Sequence, residues 1–124
     1  DPLRAIQLIH ACGGLAFLAH PYLIDEVVVR PDLGKMTRDE YIERLIGHGL
    51  DGIEARYTYN KTSYKGQKTV EEIEREIKAK YGHRLLISGG SDYHGSKPGT
   101  TDPREIGEAG ISYTEFLRIF APLF

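Results

Sequence analysis

The run Leu85-Leu86-Ile87-Ser88-Gly89-Gly90-Ser91-Asp92-Tyr93-His94-Gly95 constrains this chain more than any other stretch. Its first four residues show no polar alternation, which reads as a buried strand. Gly89-Gly90 then breaks the strand with backbone freedom closed to residues that carry a Cβ. Asp92 and His94 follow, an oxygen donor and a nitrogen donor one residue apart. In an extended segment both would project to the same side and could face one metal ion. Gly14-Leu15-Ala16-Phe17-Leu18-Ala19 has the same grammar and ends in His20-Pro21. Two buried strands that each end in metal-type ligands are hard to explain by packing alone.

Around these runs the chain reads as one domain. With 124 residues it can bury a real core but is small for an α/β enzyme. A formal net charge of −2 gives no general electrostatic reason to expect nucleic acid, though local cations could bind a phosphate. Cys12 is the single cysteine, so no intrachain disulfide forms and a reducing cytoplasm is the expected location. No run of about 18 apolar residues marks a membrane span, and no basic-then-apolar leader is present. The chain opens on Asp1-Pro2 and runs straight into a helix, so a piece of a longer polypeptide is expected.

Asp1 to Ala11 reads as a helix with Asp1 as cap, Pro2 in the first turn and Leu3, Ile6 and Ile9 as its stripe. His10 on it reads as a surface or packing histidine, and Cys12 as a small buried filler. Pro21 to Thr37 has no steady period and is expected as a long loop with at most a turn of helix near Tyr22 to Val27. Thr37-Arg38-Asp39-Glu40 is a capping box that opens a helix to about Gly47, burying Tyr41, Ile42, Leu45 and Ile46, with His48 near its end. Leu50 to Tyr57 is the next strand. Gln67 to Tyr81 holds the clearest helix, capped by Thr69, with Val70, Ile73, Ile77 and Tyr81 inward. Its charges read as a solvated face with i,i+4 pairs Glu71–Arg75, Glu74–Lys78 and Glu76–Lys80. Gly95 to Gly110 is a second long loop, followed by a last amphipathic helix carrying Phe116, Leu117, Ile119 and Phe120. Strands separated by helices predict parallel pairing. Three strands cannot close a barrel, which needs about eight in the usual form. The fold class is α/β, as a small open sheet or the later part of a (β/α) barrel.

The strand ends carry His20, then Tyr57, Tyr59 and Asn60, then Asp92 and His94. His and Asp suit Zn, Mn or Fe, and a metal held by them lowers the pKa of water toward about 7. His20 also fits a hydrogen-bonding role at a strand-to-loop junction, and Asp92 a turn cap. Ser91, His94 and Asp92 could be read as a nucleophilic triad. They lie too close in sequence for an easy relay, and no Gly-x-Ser-x-Gly elbow surrounds Ser91.

Leu18-Ala19-His20-Pro21, Leu50-Asp51-Gly52-Ile53-Glu54 and Gly89-Gly90-Ser91-Asp92-Tyr93-His94-Gly95 resemble, in order, three motifs of the PHP (polymerase and histidinol phosphatase) superfamily. The likeness is closest to its stand-alone metal-dependent phosphoesterases and covers nearly the whole chain, as the C-terminal half of such a protein. The resemblance implies the C-terminal part of a distorted (β/α)7 barrel with two or three divalent ions (Mn, Zn or Fe) in the complete site. It implies His20, Asp92 and His94 as metal ligands, with the remaining ligands on a missing N-terminal half of the same protein. Glu54 matches a motif position but is read as a support for the sheet or a neighbour rather than a ligand. Tyr57, Tyr59 and Lys97 are candidates for lining a substrate pocket. The implied activity is hydrolysis of phosphomonoesters, nucleotides or short oligonucleotide phosphodiesters, with no membrane partner and the fragment alone inactive. The alternative is a regulatory or interaction domain that keeps the fold and hydrolyses nothing.

Overall fold

Helix α1 (Pro2–Ala11) begins as its sequence dictates: the Asp1 side chain accepts the Leu3 N–H at 3.0 Å and proline occupies the first turn. The computed structural model describes residues 1–124. Of the expected α1 stripe only Ile6 is buried. Cys12 is exposed rather than a buried filler, because the chain turns at once through Gly13 (φ +78°) and leaves the helix end at the surface. Strand β1 is short, Phe17–Leu18, with Leu15 and Ala19 exposed on either side. A 3₁₀ turn, Pro21–Leu23, follows His20 directly.

The region expected as a long loop instead contains an antiparallel hairpin, β2 (Val27–Arg30) and β3 (Gly34–Thr37). Its alternation is hidden in sequence because three consecutive valines fill both faces. Val28 pairs with Met36 on the inward side, while Val27 and Val29 are exposed. Gly34, at φ +78°, supplies the left-handed residue where β3 begins. The long loop from Gly95 to Gly110 contains no helix or strand, as expected.

Helix α2 (Arg38–Gly47) has its capping box in place: Glu40 N–H donates to Thr37 Oγ1 at 3.1 Å and Thr37 N–H to Glu40 Oε2 at 2.8 Å. It buries Tyr41, Ile42 and Leu45. Strand β4 (Gly52–Tyr57) leads to α3 (Val70–Tyr81), capped by Thr69 and packed through Ile73, Ile77 and Tyr81. Strand β5 (Leu86–Gly90) and helix α4 (Tyr113–Phe120) complete the chain. The main sheet has the order β1-β4-β5 and both pairings are parallel. Its packing is tight at Phe17, which pairs with Gly52: a Cβ on Gly52 would lie 2.2 Å from the Phe17 ring.

The result is a mixed α/β fold with a small sheet open at both edges and no complete barrel. The core between the sheet and helices α2 and α3 is well filled, with Ile42, Ile53, Ala55, Ile73 and Ile77 sealed from solvent. Helix α4 covers its side more thinly. None of its residues is buried, and Phe116 and Leu117 remain exposed. It is held by stacking of Phe120 on Phe17 at 5.9 Å and by Arg56, which reaches Glu115 at 3.2 Å and the Gly110 carbonyl at 2.8 Å. No helix is long and apolar enough to cross a membrane.

The charges of α3 are not merely a solvated face. Glu74 keeps its i,i+4 contact with Lys78 at 3.2 Å but also takes the Arg56 guanidinium at 2.9 Å. Glu76 pairs with Lys80 at 3.3 Å and Lys68 at 2.5 Å, and accepts the Tyr22 hydroxyl. These two carboxylates tie α3 to neighbouring segments, a role that helix periodicity alone cannot reveal. Burial pushes the Glu76 carboxyl up, but the bonds from Lys68, Tyr22 and Lys80 outweigh it and hold the group at about 2. A carboxyl lowered on folding contributes stability above its ordinary range and loses it as pH falls toward about 2. Glu76→Gln should therefore lower unfolding stability at pH 7 by about 1–3 kcal/mol. The gap from the parent should narrow as denaturation is repeated at falling pH, and a gap that stays constant with pH would refute this role.

Candidate functional site

Because β1, β4 and β5 are parallel, their carboxyl ends share one edge of the sheet, the usual place for functional groups in such folds. His20 lies just beyond β1, Tyr57 ends β4, and Asp92 and His94 lie just beyond β5. Tyr57 joins them. Its ring centroid is 5.1 Å from that of His20, and its hydroxyl donates to Asp92 Oδ2 at 2.8 Å. Burial first, then the bond to Asp92, pushes the Tyr57 phenol up to about 12, so it stays a donor at neutral pH.

The backbone at two of the three ligand candidates is unusual. His20 has φ 30° and Asp92 φ 57°, and of the other non-glycine residues only Ala109 has positive φ. Left-handed conformations cost of order 1–3 kcal/mol for such residues and persist where their surroundings impose them. At His20 the restraint is visible: its N–H donates to Glu54 Oε2 at 2.7 Å. Burial, the dominant cause, raises the Glu54 carboxyl, partly offset by that N–H and by His20; Asp92 adds a further upward push. Glu54 thus orients a neighbour, one of the two supporting roles expected for it. Beside it, a Cβ on Gly90 would come within 3.1 Å of Glu54 Oε1, so β5 passes close to the carboxylate.

His94 is exposed, and its Nδ1 lies 2.6 Å from the Asp92 carbonyl and 3.6 Å from Asp92 Oδ1. A ring nitrogen tied to a backbone carbonyl leaves Nε2 as the free donor atom, an arrangement typical of metal-binding histidines. Asp92 Oδ2 is shared by Tyr57 and Arg104, the latter at 3.4 Å. Arg104 is itself held by Asp102 at 3.1 Å, whose other oxygen accepts the His94 N–H at 3.1 Å. Hydrogen bonds from Arg104 and His94 hold the Asp102 carboxyl down at about 2. Asp102 and Arg104 escaped the sequence reading. Asp-Pro-Arg, in which Asp102 accepts the Arg104 N–H at 2.9 Å, was a legible turn signal but carried no hint of its target.

The other candidates sit differently. Tyr59 is buried, packs edge-on against Tyr57 at 4.8 Å and accepts the Tyr22 N–H at 3.0 Å. Lys97 is exposed in a turn closed by Thr100, whose hydroxyl accepts the Lys97 N–H at 3.2 Å. Ser91 Oγ accepts the Tyr93 N–H and makes no bond to His94, so no serine triad is assembled. His10 is an exposed partner of Asp51 at 2.7 Å, and Asp51 precedes the amino end of β4, away from the carboxyl ends that carry these groups. No three His, Cys, Asp or Glu side chains of the chain converge closely enough to hold a metal by themselves. His20, Asp92 and His94 fit a metal by donor type, and Asp92 Oδ1 and His94 Nε2 form no other hydrogen bond. They would be part of a shell rather than all of it.

The chain is similar to part of a phosphodiesterase. It is 32% identical over 95 residues to the phosphoribosyl 1,2-cyclic phosphate 1,2-diphosphodiesterase of Eggerthella lenta. That match covers 77% of this chain and 29% of the length of that protein. No family model matches the chain, and no solved structure matches it.

Replacing Glu54 tests its hold on His20. Glu54→Leu leaves the His20 N–H unpaired and should cost about 1–3 kcal/mol of unfolding stability, whereas Glu54→Gln keeps an acceptor and should cost less. Since the folded Glu54 carboxyl is raised, its protonation favours folding, so the parent should gain on Glu54→Gln as pH falls toward the ordinary carboxylate range. Equal losses in both variants at pH 7, measured by urea denaturation, would refute the contact.

Proposed function

We propose that this chain forms part of a metal-dependent phosphoesterase of the PHP superfamily, acting on phosphomonoesters or on nucleotide or short oligonucleotide phosphodiesters. The observation that carries the reading is that Tyr57 touches both His20 and Asp92, with His94 beside Asp92, at the carboxyl ends of parallel strands. The similarity to part of a phosphodiesterase supports phosphoester hydrolysis. In this reading His20, Asp92 and His94 hold divalent ions together with donors from outside these 124 residues. Such ions supply a lowered pKa for water and neutralise charge on phosphoryl oxygens.

The chain's own residues do the positioning. Glu54 fixes the His20 backbone, and Tyr57 anchors one oxygen of Asp92 while leaving the other open. Asp102 holds the His94 backbone and clamps Arg104 beside Asp92. The Arg104 guanidinium is suited to a phosphoryl oxygen, whose charge it would share.

The test is made on the natural polypeptide. Chelation should abolish phosphoester hydrolysis and Mn or Zn should restore it. Asp92→Asn should lower bound metal, measured by elemental analysis, and reduce turnover by at least about a hundredfold. Unchanged metal content in Asp92→Asn would sink the ligand assignment. Metal retained without hydrolysis of any phosphoester would favour a regulatory domain.

A further inference from the structure

Beside the strand ends, the segments leaving β1 and β4 and the first residue of α2 border an open cavity of about 690 Å³. That is room for a small organic ligand. Its wall carries Arg38, Lys65 and Lys68 together with Tyr22 and Tyr64. The Arg38 guanidinium lies over the Tyr22 ring, 4.0 Å from its centroid, and Nη1 donates to the Ile24 carbonyl at 3.1 Å. Its Nε is sealed from solvent with no hydrogen-bond partner. Arg38 makes no ion pair, and neither does the exposed Lys65, whereas Lys68 is matched by Glu76 at 2.5 Å. Two acids, Asp25 and Glu26, also border the cavity, and both are exposed.

The Arg38 guanidinium is half-withdrawn from water and has no carboxylate in ion-pair contact, although the adjacent Asp39 feels its charge. With Nη1 on the Ile24 carbonyl and Nε sealed, Nη2 is the donor left to an oxyanion, which would also answer the charge. The cavity is also wired to the candidate site. Tyr22 follows His20-Pro21, its N–H donates to the Tyr59 hydroxyl, Tyr59 packs on Tyr57, and Tyr57 holds Asp92.

We propose that this cavity is a phosphate-binding subsite, separate from the Asp92 centre, in which Arg38 and Lys65 engage a phosphate monoester. The inference rests on the phosphoesterase reading for its place in a reaction, but its binding chemistry stands on Arg38 and Lys65 alone. Occupied by one phosphate group of a larger substrate, it would set which ester reaches Asp92. Occupied by free phosphate, it would hold product.

Calorimetric titration of the natural polypeptide in chelator, with inorganic phosphate and with adenosine 5′-monophosphate, tests this without any metal. Saturable binding is expected, weakened about tenfold or more by Lys65→Ala and by Arg38→Met and unchanged by Asp92→Asn. Tighter binding of the nucleotide identifies a subsite for a larger substrate, and equal binding identifies phosphate itself; both support the proposal. Should Arg38→Met fail to fold, Lys65→Ala carries the result, since Lys65 is exposed and unpaired. No binding of either probe, binding indifferent to Lys65→Ala, or an equal loss in Lys35→Ala, outside the cavity, overturns it. Metal content of Asp92→Asn is read separately, so failure of the subsite and failure of the phosphoesterase reading are distinguishable.

Discussion

The parallel register of β4 between β1 and β5 is the constraint on which everything else depends. Ile53 pairs with Leu18 on one side and Ile87 on the other, so the three strands run out together. An antiparallel β4 would send Tyr57 and the loop beyond it to the opposite end of the sheet, away from His20 and Asp92. One irregularity sharpens the alignment. Between Glu54 and Arg56 the central strand gains a residue on β5, with Glu54 opposite Ser88 and Arg56 opposite Gly89. Such bulges bend a strand and re-aim its side chains, and they recur beside functional sites. Here the bulge falls between the carboxylate that holds His20 and the tyrosine that holds Asp92.

Two partly enclosed carboxylates show how environment divides similar groups. Glu54 is surrounded mainly by low-polarity packing and raised, with only a backbone N–H and His20 working the other way. Glu76 also loses solvation, yet Lys68, Lys80 and the Tyr22 hydroxyl hold it ionised. The first serves geometry near the strand ends; the second fixes α3 to the wall of the cavity. Their opposite responses to acid follow from the partners each one found, not from depth alone.

What was legible in the sequence follows from how local each signal is. Helix α3 announced itself through Thr69, Glu72 and the spacing of Ile73, Ile77 and Tyr81, all within one element. The α2 capping box and the parallel strand order were legible for the same reason. Hairpin β2–β3 was not, because its alternation appears only once Val28 is seen opposite Met36. Arg104, Asp102 and Arg38 were missed for a related reason: their partners at Asp92, His94 and Tyr22 lie across loops whose paths no periodicity encodes. The strand-end donors His20, Asp92 and His94 were visible as residue types, but their spacing gave no warning of how they would be held.

The left-handed backbone at His20 and Asp92 bears most directly on whether these residues serve the fold or something beyond it. A turn that needs positive φ for structural reasons alone is more cheaply made with glycine, and this chain does so at Gly13, Gly34, Gly95 and Gly99. At His20 and Asp92 it keeps an imidazole and a carboxylate in the costlier conformation. Asn or Asp can settle there through local hydrogen bonds, but Asp92 spends one oxygen on Tyr57 and Arg104 rather than on its own turn. His20 has no such local bond and is restrained by Glu54 from a different strand. Ala109 shows that this chain also holds a non-glycine residue there without such a side chain, so it is the bracing of His20 and Asp92 from β4, added to the backbone, that favours the proposed site.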